Sequence, residues 1–381
     1  MGPLHGVKIV EFAGIGPGPY GCMMLADMGA EILRIDREPT GAPDIEGIDE
    51  QRKNSVARGR KSITLDLKDP AAVETALKLI EKADAVVEGF RPGVMERLGL
   101  GPDVCLARNP ALVYARMTGW GQTGPLAHAA GHDMNYISLS GALWSFGEEG
   151  RDPVPPLNLL GDYGGGGMFL AFGIVCALLR ARTTGEGDVI DAAISDGTAA
   201  LMAPVYMWLA NNRWQNRRAS NRLDGTAPYY GVYKCSDGKW VSIAPIEEKF
   251  WQLFLHLLKL DEADIGDRHD TRQWPDIRHR FESIIGAHPR DYWCRLFEGT
   301  DICFAPILDL EEAPAHAHNA ARETFVERDG IVQTAPAPRF QNAKATLPSR
   351  PPLIGEHNGS VLQDWGVADE EAPVLKNRNA I

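Results

Sequence analysis

His132 and Asp162 are the residues of this chain whose types and settings could carry acid–base chemistry. The histidine stands in Ala130-Gly-His-Asp-Met-Asn-Tyr136, the aspartate in Leu159-Leu-Gly-Asp-Tyr-Gly-Gly-Gly-Gly167. Glycine beside each would let backbone come close to a ligand next to a titratable group. A His and an Asp on opposite sides of one carbon atom could remove a proton from one face and return one to the other. Each also has a structural reading: His132 as a packed histidine, Asp162 as the N-cap of an apolar helix starting at Gly164. As a helix-terminal residue, Asp162 would also offer its own N–H, helped by the helix dipole, to a substrate oxygen becoming an enolate. Glu247, in Ala244-Pro-Ile-Glu-Glu-Lys-Phe250 at a strand-to-helix junction, could cap that helix or orient and charge a histidine.

These residues need a scaffold, and the first half of the chain supplies its pattern. Strand-like runs at 7–13, 31–36, 61–67, 84–88 and 112–117 alternate with helical segments near 20–28 and 70–82. This rhythm predicts an α/β fold: a Rossmann-like large domain with a parallel sheet covered by helices on both faces. From about Asp191 the texture changes to helices and an arginine-rich connector. A hairpin signal at Ser236-Asp-Gly-Lys239 then opens a smaller α+β domain. The expected organisation is a large domain over 1–190 completed by 331–381, a connector over 191–224 and a small domain over 225–330.

A chain of 381 residues, 44% hydrophobic and 24% charged, has the composition of an ordinary globular protein. The net charge of −12 argues against nucleic acid or an anionic membrane as the main partner. Six scattered cysteines without a Cys-x-x-Cys pair suit a reduced compartment, and with no signal peptide expected the location expected is cytoplasmic. The longest apolar stretch, Met168 to Leu179, is too short to cross a bilayer and is read as a buried helix.

Gly16-Pro-Gly-Pro-Tyr-Gly21 matches the dinucleotide fingerprint, with Asp36 where a ribose-binding acid would stand. Its prolines lack the amides that cradle a pyrophosphate, so a tight strand-to-helix turn is the expected outcome. Arg34, Arg37, Arg52, Lys53, Arg58, Arg60, Lys61 and Arg91 could gather phosphates at one sheet edge or be solvated loop charge. His316-Ala-His318 has no third ligand at suitable spacing, and no metal site is expected.

The ordered set of motifs resembles the class III CoA-transferase superfamily over nearly the whole chain. Its carriers are Val10-Glu-Phe-Ala-Gly-Ile-Gly-Pro-Gly-Pro19, Leu25-Ala-Asp-Met-Gly-Ala30, Ile35-Asp-Arg37, Lys61-Ser-Ile-Thr-Leu-Asp-Leu-Lys68 and Arg91-Pro-Gly-Val94. Tyr114 to Gly124, Gly131 to Tyr136, Pro156-Leu-Asn-Leu159, Leu223-Asp-Gly225, Cys303-Phe-Ala-Pro306 and Gly355-Glu-His357 continue it. The superfamily's transferases place an aromatic residue at the His132 position and use the aspartate matching Asp162 as a nucleophile. Gly-His-Asp marks the racemase branch, whose Ile-Glu-Pro motif matches Glu247 except that Glu248 replaces the proline. Asp224-Gly-Thr-Ala-Pro228 also departs, with Thr where a second Gly is common.

The resemblance implies an interlocked homodimer, with Glu247 reaching His132 from the partner chain. It implies CoA bound through positions matching Arg37, Leu65, Asp66, Leu67, Lys68, Arg91, Gly131, Asp133, Met134, Asn135 and Tyr136. It further implies interconversion of the epimers of a 2-methylacyl-CoA thioester by 1,1-proton transfer through an enolate. The CoA belongs to the substrate and no cofactor is required. The competing expectations are a CoA-transferase working through an Asp162 acyl anhydride and a non-catalytic Rossmann module. Aromatic residues near Tyr206 to Trp214 are expected partly to line the acyl pocket.

Overall fold

The computed structural model describes residues 1–38 and 45–367. Its larger sheet contains β1 (Lys8–Phe12), β2 (Glu31–Asp36), β3 (Arg60–Thr64), β4 (Ala85–Glu88), β5 (Val113–Thr118) and β6 (Asp188–Ala193). The order is β3-β2-β1-β4-β5-β6, and every neighbouring pair runs parallel. The two-residue period of a strand explains the two cores. Val10, Leu33, Val86 and Tyr114 enter one buried cluster, while Ile9, Ile32, Ala85 and Val113 enter the other. Both faces are therefore dry, as a parallel sheet with helices on each side requires. The chain runs outward from β1 through β2 and β3, then returns to β4 on the other side of β1. That reversal opens a crevice at the carboxyl ends of β1 and β4.

Five of the six strands match the sequence pattern. β6 was not expected: Asp188-Val-Ile-Asp-Ala-Ala193 is largely exposed over its first four residues. An edge strand with two aspartates and few large apolar residues carries little of the usual signal. The helix after β1 begins at Pro17, so the proline that spoils a pyrophosphate cradle serves as a helix-starting residue.

The helix after residue 157 is longer than expected. Leu160–Met168, glycine run included, is π-helical and continues into the α-helix Phe169–Thr184. The whole run of 28 residues, with a mean hydropathy of 1.6 in its most apolar window, is by length and composition enough to cross a membrane, contrary to the expectation from Met168–Leu179 alone. Half of that window is buried, and Leu170, Ala171, Ile174, Ala177 and Leu178 pack into the same core as strands of the sheet.

The chain forms two compact units: Met1–Leu143, Pro155–Ala203 and the segment from Val326 in the first, Trp144–Val154 and Pro204–Phe325 in the second. Near its end the first unit returns to cover the edge of β3: His357 donates its N–H to the Ser62 carbonyl at 2.9 Å and Asn358 Oδ1 accepts from the Thr64 amide at 2.9 Å. Val361, Leu362 and Trp365 then join the core beneath the sheet. Residues 368–381 of the expected completing segment lie outside the described residues. In the second unit, β7 (Gly231–Lys234), β8 (Trp240–Ile243) and β9 (Phe304–Ile307) form an antiparallel sheet. Trp251, Phe254, Phe281, Trp293 and Phe297 fill its core.

Candidate active site

The crevice at the strand-order reversal is a cleft of about 550 Å³, and His132 and Asp162 both line it. Its walls come from Ile15–Pro17 after β1, Gly89–Pro92 after β4, Thr118–Trp120 at the end of β5, and the segment leading to His132. A second cleft of about 310 Å³ is lined by Arg37, Leu65, Asp66, Leu67 and Lys68 together with Phe12, Ile35 and Leu98. Phe90 lines both clefts, and Arg91 stands on the first. Of the residues matched to CoA binding, Gly131 and Tyr136 also line the first cleft; Asp133, Met134 and Asn135 line neither.

Asp133 and Asn135 instead hold the two candidate catalytic residues. His132 is the N-cap of the helix Asp133–Leu139, and its backbone N–H donates to Asn135 Oδ1 at 3.0 Å. Asp133 is buried, and its Oδ1 accepts the backbone N–H of Asp162 at 2.7 Å. That contact corrects the expectation that the Asp162 amide is free for an enolate oxygen. Asp162 is also not a helix cap but lies inside the π-helical turn, a local widening often found at functional sites.

Gly131 lines the cleft beside His132, whereas the glycines around Asp162 serve packing. A Cβ at Gly161 would lie 2.2 Å from Asp133 Oδ1, and one at Gly165 would lie 2.4 Å from Thr198 Oγ1. Only a helix without side chains at these positions can press this closely on its neighbours.

Burial pushes the Asp162 carboxyl above the usual carboxylate range, and the nearby Asp133 charge adds to that; Asn158 and His132 oppose it. Asn158 donates its Nδ2 to Asp162 Oδ2 at 3.3 Å. The sequence reading assigned Asn158 no role, although its position one helical turn before Asp162 was the available signal. Tyr136 is likewise pushed up, by burial first and by Asp162 next, with Arg91 opposing. Its hydroxyl donates to the Gly131 carbonyl, and its ring meets Trp120 edge-on at 4.7 Å. The loop carrying Phe90 and Arg91 is anchored from below. Glu88 accepts the Phe90 N–H at 2.7 Å and pairs with Arg116 at 3.0 Å.

The cationic group does not gather at one edge. Arg58 makes a two-pronged pair with Asp27 at 2.8 and 2.6 Å, and Arg60 pairs with Glu11 at 2.7 Å; all four are buried. Arg34 pairs with Asp36, Lys53 with Asp49, and Lys61 with Glu31 and Asp364. Arg37, Lys68 and Arg91 are the cations that line the two clefts.

Glu247 belongs to the second unit, as N-cap of the helix Glu248–Leu258. It is exposed, and no side chain among the described residues hydrogen-bonds or ion-pairs its carboxylate. Trp208 and Trp214, from the segment expected near the acyl group, stack at 5.8 Å beside Arg213, Arg222 and Leu223 in that same unit. His316 contacts Glu298 at 3.0 Å and caps a short helix.

Fold and site together define a Rossmann-type α/β protein with His132 and Asp162 on one cleft at the reversal of strand order. A family model described as CoA-transferase family III matches residues 4–358, and the chain belongs to that family. It is 40% identical over 371 residues to mouse alpha-methylacyl-CoA racemase, covering 97% of this chain and 94% of that one. It is 39% identical over 381 residues to the human protein of the same name, covering 99% and 97%. Among solved structures it resembles a CAIB/BAIF family protein from Brucella suis, with a TM-score of 0.81 at 27% identity over 96% of this chain and 99% of that one.

Proposed function

We propose that this chain is an isomerase that interconverts the epimers of 2-methylacyl-CoA thioesters by 1,1-proton transfer. The observation that carries the reading is the placement of His132 and Asp162 on one cleft, with the Asp162 carboxyl raised by burial. The relatives named as racemases support the same chemistry.

The thioester acidifies its α-carbon. His132 takes the proton from one face, the charge spreads onto the thioester oxygen, and Asp162 returns a proton to the other face. In the reverse direction the roles exchange. A raised carboxyl is better matched to this work than an ordinary one, whose pKa near 3.9 makes a poor base. Arg37, Leu65, Asp66, Leu67 and Lys68 suit the nucleotide end of CoA, with apolar walls and two cations. Arg91 suits the path toward the acyl group. The thioester supplies the acidity, so the reading calls for no cofactor beyond the CoA of the substrate.

The working form proposed is a homodimer in which Glu247 approaches His132 from the partner. Phe172, Val175 and Leu179 on the helix Phe169–Thr184, with Met168 just before it, form an exposed apolar stripe along one face, and the Glu247 carboxylate is unengaged. Both features support a partner surface. The six free thiols support a reducing location such as the cytoplasm.

The family description also supports a second reading, transfer of CoA between carboxylic acids through an Asp162 acyl anhydride. Incubation with one epimer of a 2-methylacyl-CoA in D2O, without an acceptor acid, separates the two. Deuterium uptake with loss of stereochemical purity is expected. Acyl exchange only after a free acid is added, with no uptake before, would overturn the racemase reading.

A further inference from the structure

The turn that presents Glu247 is held by a buried arginine from farther along the second unit. Arg268 is 3% exposed. Its Nη1 donates to the carbonyls of Pro245 and Ile246, each at 3.1 Å, and its Nη2 donates to Glu248 Oε2 at 2.7 Å. The guanidinium lies 5.2 Å from the Tyr229 ring centroid and 5.1 Å from that of Trp251. The Arg268 carbonyl is in turn held by the Trp274 indole N–H at 2.8 Å. A buried charge is costly unless its donors are used; Nε has no partner, and the donors that are used, on Nη1 and Nη2, converge on the residues before and after Glu247. None of these donors goes to Glu247 itself.

Glu248 occupies the first position of its helix, where the backbone N–H has no intrahelical partner. Glu247 before it has φ −72° and ψ 145°, the extended conformation that a following proline would also demand. The Arg268–Glu248 pair thus restrains by charge what a ring at 248 would restrain covalently.

We infer that Arg268, through Glu248 and the carbonyls of Pro245 and Ile246, is a positioning residue that sets the direction of the Glu247 carboxylate toward the histidine it charges. The inference rests on the reading of Glu247 given above. The test compares kcat, KM and the pH dependence of kcat/KM for α-proton exchange in full-length Glu247→Gln, Glu248→Ala, Glu248→Pro and Arg268→Met proteins.

Glu248→Ala and Arg268→Met should each lower kcat roughly tenfold with little change in KM, as a misdirected group does. The acidic limb of kcat/KM should move to lower pH, because a misaimed carboxylate stabilises the imidazolium less. Glu248→Pro should recover most of both effects. Should Arg268→Met not fold, the Glu248 variants decide alone, since the Glu248 side chain is 60% exposed. Full activity in Glu247→Gln would remove the role of Glu247 and this inference with it. A damaged Glu247→Gln beside an unaffected Glu248→Ala would overturn the inference and leave Glu247 standing. A loss of kcat in Glu248→Ala with an unmoved limb and no recovery by proline would reduce the contact to plain structure, and would overturn it as well.

Discussion

The backbone N–H of Asp162 donates to the carboxylate of Asp133 at 2.7 Å, joining the residues that follow His132 to the helix that carries Asp162. One short contact therefore sets the spacing of both candidate catalytic groups and places a second negative charge beside Asp162. Replacing Asp133 by Asn keeps an acceptor for the amide and removes that charge. In the direction in which Asp162 gives up the proton, activity should then fall away at a lower pH than in the parent, because the carboxyl loses one of the causes that raise it. Asp133→Ala should instead strand a buried amide and cost about 1–3 kcal/mol of stability. Profiles of kcat against pH and denaturant unfolding distinguish the two.

Asp162→Asn should lose activity by roughly 10²–10⁴-fold, the usual worth of an acid–base group, while gaining thermal stability at neutral pH. The folded state raises this carboxyl above its unfolded value. Its contribution to stability is thus fully present at pH below the unfolded carboxylate range and is lost as pH rises through the folded value. Asparagine removes that loss. Melting curves of the two proteins should converge in acid and separate near neutrality; equal curves at neutral pH would contradict the burial argument.

Arg37 and Arg60, read from sequence as members of one cationic group, should behave differently. Arg37→Ala should raise KM for acyl-CoA about tenfold or more, the worth of a charge-assisted contact, with a smaller effect on kcat and none on folding. Arg60→Met leaves Glu11 buried without its cation, at a cost of about 3–5 kcal/mol. Steady-state kinetics on the first and unfolding midpoints on the second check the division.

Gly165→Ala should be among the most damaging single-methyl additions in the chain. The new carbon would meet Thr198 Oγ1 at 2.4 Å and the Thr198 backbone nitrogen at 2.7 Å. Overpacking of this kind costs about 1–3 kcal/mol or more. Gly18→Ala, where a Cβ meets nothing within 4 Å, is the matched control and should be neutral or mildly stabilising. Thermal unfolding of the pair reads the difference directly.

Much of the scaffold was legible because it repeats locally. The apolar runs of the first five strands carry their own period, and the helix expected near Tyr20 begins within one turn of that point, at Pro17. The His–Asp pair was singled out by residue type and setting, and the residues of the second cleft came from the family resemblance; the two clefts collect most of them. β6 escaped because an exposed edge strand need not be apolar. The π-helical stretch before Gly164 escaped because the helix was expected to start only there, and it is the closeness of Gly161 to Asp133 and of Gly165 to Thr198 that the wider turn accommodates.

What the sequence by itself determined is therefore the alternating parallel framework and which side chains have the chemistry for proton transfer. Tertiary structure decided which charges are available for it. Arg58 finds Asp27 across 31 residues and Arg60 finds Glu11 across 49, which withdraws both arginines from the clefts. Asp133 turns inward to the Asp162 amide across 29 residues and becomes a support instead of a ligand contact. Such pairings depend on distance in space and on the cost of burying an unmatched charge, and neither is written in the spacing of residues along the chain.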